Sequence, residues 1–228
     1  LEEQAVGDVM MFSTLLDSLI VESCSVSLFL SSRLIPIFRR SYSDELTAKK
    51  LFIYSKEDYN SGVLLPSLFD FQSPIGSVCQ YRFTSMKSYS PRVPCLSSDL
   101  QLANELTSKY KDDSSHVKLI GVSWRGGGKG ERIRQKSIVE ESFFELLNSF
   151  QGVRFVSLQY GNCEKQIENW RQNGLDIIYD PTINPLVNMD SWLSQVAACD
   201  AVLSVANTTI HGSGGLNIPT LCLLSRFA

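Results

Sequence analysis

Asn207, Thr208, Thr209 and His211 stand in one short polar burst between the apolar run Ala201 to Val205 and the glycines Gly212, Gly214 and Gly215. A second apolar run, Leu221 to Leu224, follows behind Pro219. The pattern reads as strand, polar loop, short helix, strand. It sets hydroxyls, an imidazole and free backbone N–H groups at a strand's carboxyl end and a helix's first turn. Anions, phosphates above all, are held well there. His211 is open to catalysis, to phosphate contact or to a capping role, and its polar neighbours favour the anion. The chain has no G-x-S-x-G elbow, so a Ser–His–acid hydrolase finds no support.

Three other places carry usable chemistry. Ser123, Trp124 and Arg125 follow directly on the apolar stretch 117–122, and ligand crevices of doubly wound sheets lie at such strand ends. Arg125 and Lys136 suit a pyrophosphate, one as a planar fork and the other as a point charge. The plainer alternative is a solvated basic loop made of Arg125, Arg132, Arg134 and Lys136. Gly126, Gly127, Gly128, Lys129 and Gly130 do not make a phosphate-binding P-loop. Ser123 falls where its first Gly belongs, and Gly130 takes the place of the magnesium-binding hydroxyl. Gln159 and Tyr160, after 153–158, offer an amide and an aromatic face for a base or ribose, or else a simple turn. Asp8, beside Gly7, is either a helix N-cap or a general base, and residue type alone favours the cap.

The elements that must position these residues follow from periodicity. Val9, Met10, Phe12, Leu15, Leu16, Leu19 and Ile20 recur at helical spacing, while Val26, Leu28 and Leu30 alternate as in a strand. A short helix around Pro36, a strand over 51–54 and a helix over 99–111 complete the first half. Between 59 and 94 the pattern dissolves among Pro66, Pro74, Pro91 and Pro94, as in long loops. In the second half, strands at 117–122, 153–158, 175–179 and 201–205 alternate with helices. Ser137 with Glu140 reads as a capping box, and Asp190 as the cap of a helix carrying Trp192, Leu193, Val196 and Ala197. Short connections between such units predict a parallel, doubly wound α/β sheet. Domains are expected over 1–113 and 114–228. A polar Gly-containing loop entering a helix with no strand ahead, and a last strand with no helix behind, predict a piece of a longer protein.

Composition narrows the classes. A chain of 228 residues buries one large core or two modest ones. A net charge of -3 argues against broad binding to nucleic acid or anionic membranes. Six scattered cysteines with no C-x-x-C pair, beside two histidines, argue against zinc and read as reduced, buried thiols. Asp17 and Glu22 interrupt the apolar stretch 9–30, so it is no membrane span. Glu2 and Glu3 replace the basic start of a signal peptide, and the expected location is the cytoplasm.

Together these segments resemble a known family. Glu3, Gln4, Ala5, Val6, Gly7 and Asp8 resemble the E-Q-G-x-G-D loop of glycosyltransferase-like domains that follow tetratricopeptide repeats in many bacterial proteins. Those domains are related to the heptosyltransferases and share the GT-B architecture with O-linked N-acetylglucosamine transferases. The segments 120–125, 136–138, 156–161 and 204–211 match the family's pattern in order. The resemblance implies two Rossmann-like domains facing across a cleft, a nucleotide-sugar donor on the C-terminal one, and an acceptor protein, peptide or glycan on the other. It implies no metal or other cofactor. Asp8 matches the catalytic carboxylate; Ser123, Arg125 and Lys136 match donor-phosphate contacts. Gln159 and Tyr160 lie where the nucleotide sits, and Asn207, Thr208, Thr209 and His211 match the pyrophosphate loop. Ala5 replaces a Gly of the pattern, and Ala206 an acidic residue of the heptosyltransferases. The expected activity is that of a metal-independent inverting glycosyltransferase. Its rivals are a non-catalytic binding or interaction module of a repeat protein and a sugar-nucleotide epimerase.

Overall fold

The computed structural model describes residues 5–62, 64–82, 85, 94–112, 117–127, 133 and 136–224. Glu3, Gln4, Gly128, Lys129, Gly130, Arg132 and Arg134 lie outside them, as does the boundary expected at 113/114. The chain forms two compact units, Leu1–Ser98 and Asp99–Ala228. No helix among the described residues is long and apolar enough to cross a membrane.

In the first unit α1 (Val6–Phe12) and α2 (Leu16–Glu22) are joined by a 3-10 turn, Ser13–Leu15. Val9, Met10, Leu15, Leu16 and Ile20 are buried, as their spacing requires. Two parallel strands follow, β1 (Val26–Leu30) and β2 (Leu51–Ser55), with Val26 opposite Leu51. The crossover between them holds α3 (Ile35–Ser41) and α4 (Ser43–Thr47), α3 carrying Pro36 in its first turn, where no N–H is missed. After α5 (Lys56–Asn60), the stretch that reads as loop holds, among the described residues, two 3-10 turns (Pro66–Leu68 and Ile75–Val78) and α6 (Cys79–Arg82).

The second unit opens with α7 (Leu100–Lys111), capped by Asp99, whose Oδ1 accepts from Gln101 and Leu102 N–H. Ala103, Leu106 and Tyr110 are the buried face of α7, which packs on the helix Met189–Ala197 of the same unit. Five parallel strands follow: β3 (Lys118–Ser123), β4 (Val153–Ser157), β5 (Ile177–Ile178), β6 (Ala201–Val205) and β7 (Thr220–Leu223). Their order across the sheet is β5-β4-β3-β6-β7. Between them run α8 (Glu140–Asn148), α9 (Glu164–Gln172), α10 (Met189–Ala197) and α11 (Thr208–Gly215). Trp124, Phe143, Leu147, Ile167 and Trp170 pack together as the core under β3 and β4. The expected strand at 175–179 shrinks to two paired residues at the sheet edge.

Two helix caps differ from expectation. Ser137 does not cap α8; its Oγ donates to the Ile133 carbonyl and accepts from Gly126 N–H, so the helix begins at Glu140 behind Val139. Asn188, not Asp190, caps α10, its Oδ1 accepting from Asp190 and Ser191 N–H. The thiols also differ from the sequence reading: only Cys163 and Cys199 are buried, and Cys24 is exposed. Burial pushes the Cys199 thiol up to about 12.

Candidate functional site

The strand order puts β3 and β6 side by side at the point where the chain turns outward in opposite directions, toward β4 and toward β7. Open parallel sheets bind ligands at this point, outside the carboxyl ends. Ser123 ends β3, and Asn207 follows β6 by two residues. They meet directly: Asn207 Nδ2 donates to Ser123 Oγ at 2.8 Å and to the Arg125 carbonyl at 3.1 Å. Asn207 also caps α11, its Oδ1 accepting from Thr209 N–H at 2.9 Å and from Ser204 Oγ at 3.1 Å.

The loop after β4 joins the same arrangement. Gln159 Oε1 accepts from Ser123 Oγ and Trp124 N–H, each at 3.1 Å, and from Arg125 N–H at 2.8 Å. Its Nε2 donates to the Tyr160 carbonyl at 3.1 Å. The structure therefore brings Ser123, Arg125, Gln159, Tyr160 and Asn207 together. The amides of Gln159 and Asn207 join these loops.

The cationic side chains are held differently. Arg125 lays its guanidinium 5.8 Å from the centre of the Trp124 ring and donates from Nη2 to the Asn162 carbonyl at 3.1 Å. Its Nε is buried without a hydrogen-bond partner. Lys136 is exposed and makes no ion pair among the described residues. Its stem packs on Gly126, where an added Cβ would lie 2.4 Å from the Lys136 Cβ and 2.8 Å from its carbonyl oxygen. At Gly127 a Cβ would come 2.9 Å from the Tyr160 hydroxyl. The two glycines thus let the loop neck close: Ile138 N–H donates to the Trp124 carbonyl, and Gly126 N–H to Ser137 Oγ. This keeps Lys136 next to Arg125's strand end.

Thr208 opens α11 and is half-buried; Thr209 is buried, and His211 lies half-buried in the fourth position of the helix. The first-turn N–H groups have no partners inside the helix, apart from the one Asn207 takes. A helix start, a lysine and an arginine gathered at a strand-end crevice form a positive environment for an anion. Among the described residues no three His, Cys, Asp or Glu side chains gather as a metal site would need.

Asp8 belongs to the first unit. It is the third residue of α1, half-buried, behind an N-cap at Ala5. This removes the capping role that residue type favoured, because the helix starts earlier than Asp8. Sequence reasoning named Ser204 and Trp124 only as members of matching segments; their parts, Ser204 Oγ donating to Asn207 Oδ1 and the Trp124 ring under the Arg125 guanidinium, are new from the structure. A buried Ser in an apolar strand and a Trp beside an Arg were the available signals.

The fold is mixed α/β with parallel sheets, glycosyltransferase-like and similar to GT-B folds. A glycosyl transferase family 9 structure from Veillonella parvula DSM 2008 matches it with a TM-score of 0.63 at 11% identity, over 99% of this chain and 80% of that one. E. coli ADP-heptose lps heptosyltransferase II matches with a TM-score of 0.57 at 12% identity, over 98% of this chain and 83% of that one. At such identities the likeness establishes the fold. In sequence, the chain is 27% identical over 238 residues to Protein FlbA of Caulobacter vibrioides (strain ATCC 19089 / CIP 103742 / CB 15). That match covers 97% of this chain, which spans 38% of FlbA's length. No protein-family model matches the chain.

Proposed function

We propose that this chain is a cytoplasmic, metal-independent, inverting glycosyltransferase that moves a sugar from a nucleoside-diphosphate donor to an acceptor hydroxyl. The observation that carries the reading is the β3/β6 strand-end arrangement, where Arg125, Lys136 and the start of α11 converge at the switch point of a parallel sheet. In this reading they stabilise the departing diphosphate, the work a metal ion does elsewhere. The loop after β4 with Tyr160 receives the nucleoside. Asp8 takes the proton of the acceptor hydroxyl, which attacks the anomeric carbon as the diphosphate leaves. Tetratricopeptide repeats precede the domain in the full-length protein, and the acceptor is a protein, peptide or glycan.

Calorimetry against ADP, GDP, UDP and CDP tests the donor side. One of the four binds, and Lys136→Ala weakens it by about tenfold, the value of one exposed charge contact. Lys136 is exposed, so its removal leaves folding unchanged within about 0.5 kcal/mol. Asp8→Asn keeps donor binding and abolishes sugar transfer by the full-length protein; undiminished transfer removes Asp8 as the base. Binding without transfer in the unaltered protein identifies a non-catalytic module instead. Donor turnover in acceptor-free buffer identifies an epimerase.

A further inference from the structure

Gln159 sits where three donors converge. The side chain is buried, 7% exposed, and its one oxygen accepts from Ser123 Oγ, Trp124 N–H and Arg125 N–H. A carboxylate is the stronger acceptor for such a set. A Glu here, however, would have no proton for the Tyr160 carbonyl, to which Nε2 now donates. It would also put a full negative charge against the Arg125 backbone, within the environment that Arg125, Lys136 and α11 make positive.

The chain of bonds continues past Gln159. Ser123 Oγ, donating to Gln159, accepts from Asn207 Nδ2, and Asn207 Oδ1 takes Ser204 Oγ and the Thr209 N–H. One unbroken run of neutral groups therefore ties the loops after β4, β3 and β6 to the first turn of α11. Every linking side chain in it is uncharged.

We propose that Gln159 is a positioning residue of the diphosphate site: a neutral clasp that fixes the Trp124–Arg125 backbone at the strand ends without adding negative charge to an anion site. The inference rests on the donor reading above. It assigns Gln159 a role through its neighbours in place of direct contact with the nucleotide.

Two variants of the intact chain test it. Gln159→Leu removes the clasp, while Gln159→Glu keeps the acceptor and adds charge. Amide exchange followed by NMR reads the clasp without any ligand. In Gln159→Leu the Trp124 and Arg125 amides exchange at least about tenfold faster, while Val202, bonded to the Pro219 carbonyl, is unchanged. In Gln159→Glu their protection stays within about twofold of the unaltered protein. Should Gln159→Leu not fold, Gln159→Asn draws the amide back by one methylene and is read the same way.

The anion role is read with whichever of ADP, GDP, UDP and CDP binds the unaltered protein. Gln159→Glu weakens it by about tenfold at roughly 0.05 M salt, and the loss shrinks at roughly 0.5 M, because added charge is screened and lost structure is not. Unaccelerated Trp124 and Arg125 amides in Gln159→Leu overturn the clasp, even where the diphosphate binds. Full affinity in Gln159→Glu, or a loss indifferent to salt, overturns the anion role. Unaltered protein that binds none of the four overturns the proposed function and leaves the exchange result to decide the clasp, so the failures are read apart.

Discussion

Gln159 and Asn207 have the same amide chemistry, and the fold treats them alike, spending their donors and acceptors on neighbouring loops. Their place at the strand ends was legible in the sequence, because apolar runs followed by polar bursts mark it. Their role was not, because a side chain's type states what it can bond and leaves open which neighbour uses it up. The distinction has a measurable consequence at Asn207. Asn207→Ala removes the α11 cap together with the bonds to Ser123 Oγ, Ser204 Oγ and the Arg125 carbonyl, so it costs about 2 kcal/mol, at the upper end for a lost cap. Urea unfolding checks this. A cost near zero would mean that Asn207 faces a ligand in solution and caps nothing.

At the scale of elements, faces were easier to read than ends. The strands at 26–30 and 51–55 and the helix Glu164–Gln172 follow from periods of two and of 3.6, which reflect burial along a whole segment. Caps depend on a single rotamer, and there the pattern misleads. Ser137 and Glu140 fit a capping box, yet the Ser137 hydroxyl is held between Ile133 and Gly126, a contact set by the Gly-rich neck and invisible in local spacing. At α10 the cap is Asn188, and Asp190 lies inside the first turn, where its charge meets the helix dipole. Asn188→Ala should therefore cost about 1 kcal/mol, and Asp190→Asn less than about 0.5 kcal/mol. Thermal melts of the two variants rank them; the reverse order would return the cap to Asp190.

For the whole molecule, α7 is the element whose unit the sequence leaves open. An amphipathic helix announces that it has an apolar face but not which neighbour covers it. Here Ala103, Leu106 and Tyr110 belong to the second unit, and a polar network fastens them there. Asp180 accepts from Lys109 Nζ at 2.7 Å, Tyr110 hydroxyl at 2.8 Å and Thr182 Oγ1 at 2.6 Å, and Gln195 donates to the Tyr110 hydroxyl. Burial alone would raise the Asp180 carboxyl, but the Lys109, Thr182 and Tyr110 bonds outweigh it and hold the group below its ordinary value. A carboxyl depressed in this way stabilises the fold above its unfolded pKa and loses that contribution as pH falls through the folded one. Lys109→Met, leaving a carboxylate whose side chain is 1% exposed without its cation, should cost about 2 kcal/mol at neutral pH. The gap to the unaltered protein closes as pH falls through the carboxylate range; urea midpoints across pH measure it, and a pH-independent gap would rule out the ion pair as its source.

Each unit has its own buried core, so opening in one need not open the other. A nucleoside diphosphate bound at the β3/β6 strand ends stabilises only the unit that holds it. At about a hundred times its dissociation constant the gain is about 2.7 kcal/mol, a roughly hundredfold slowing for amides that exchange by opening of the whole unit. Hydrogen exchange by mass spectrometry on the intact chain should show that slowing across β3, β6 and α11 and leave β1 and β2 unchanged. Equal slowing in β1 and β2 would mean that the two cores open as one. The diphosphate would then reach α1 and Asp8 through shared stability, and slowed exchange in the first unit could no longer be taken as a sign that Asp8 itself meets substrate.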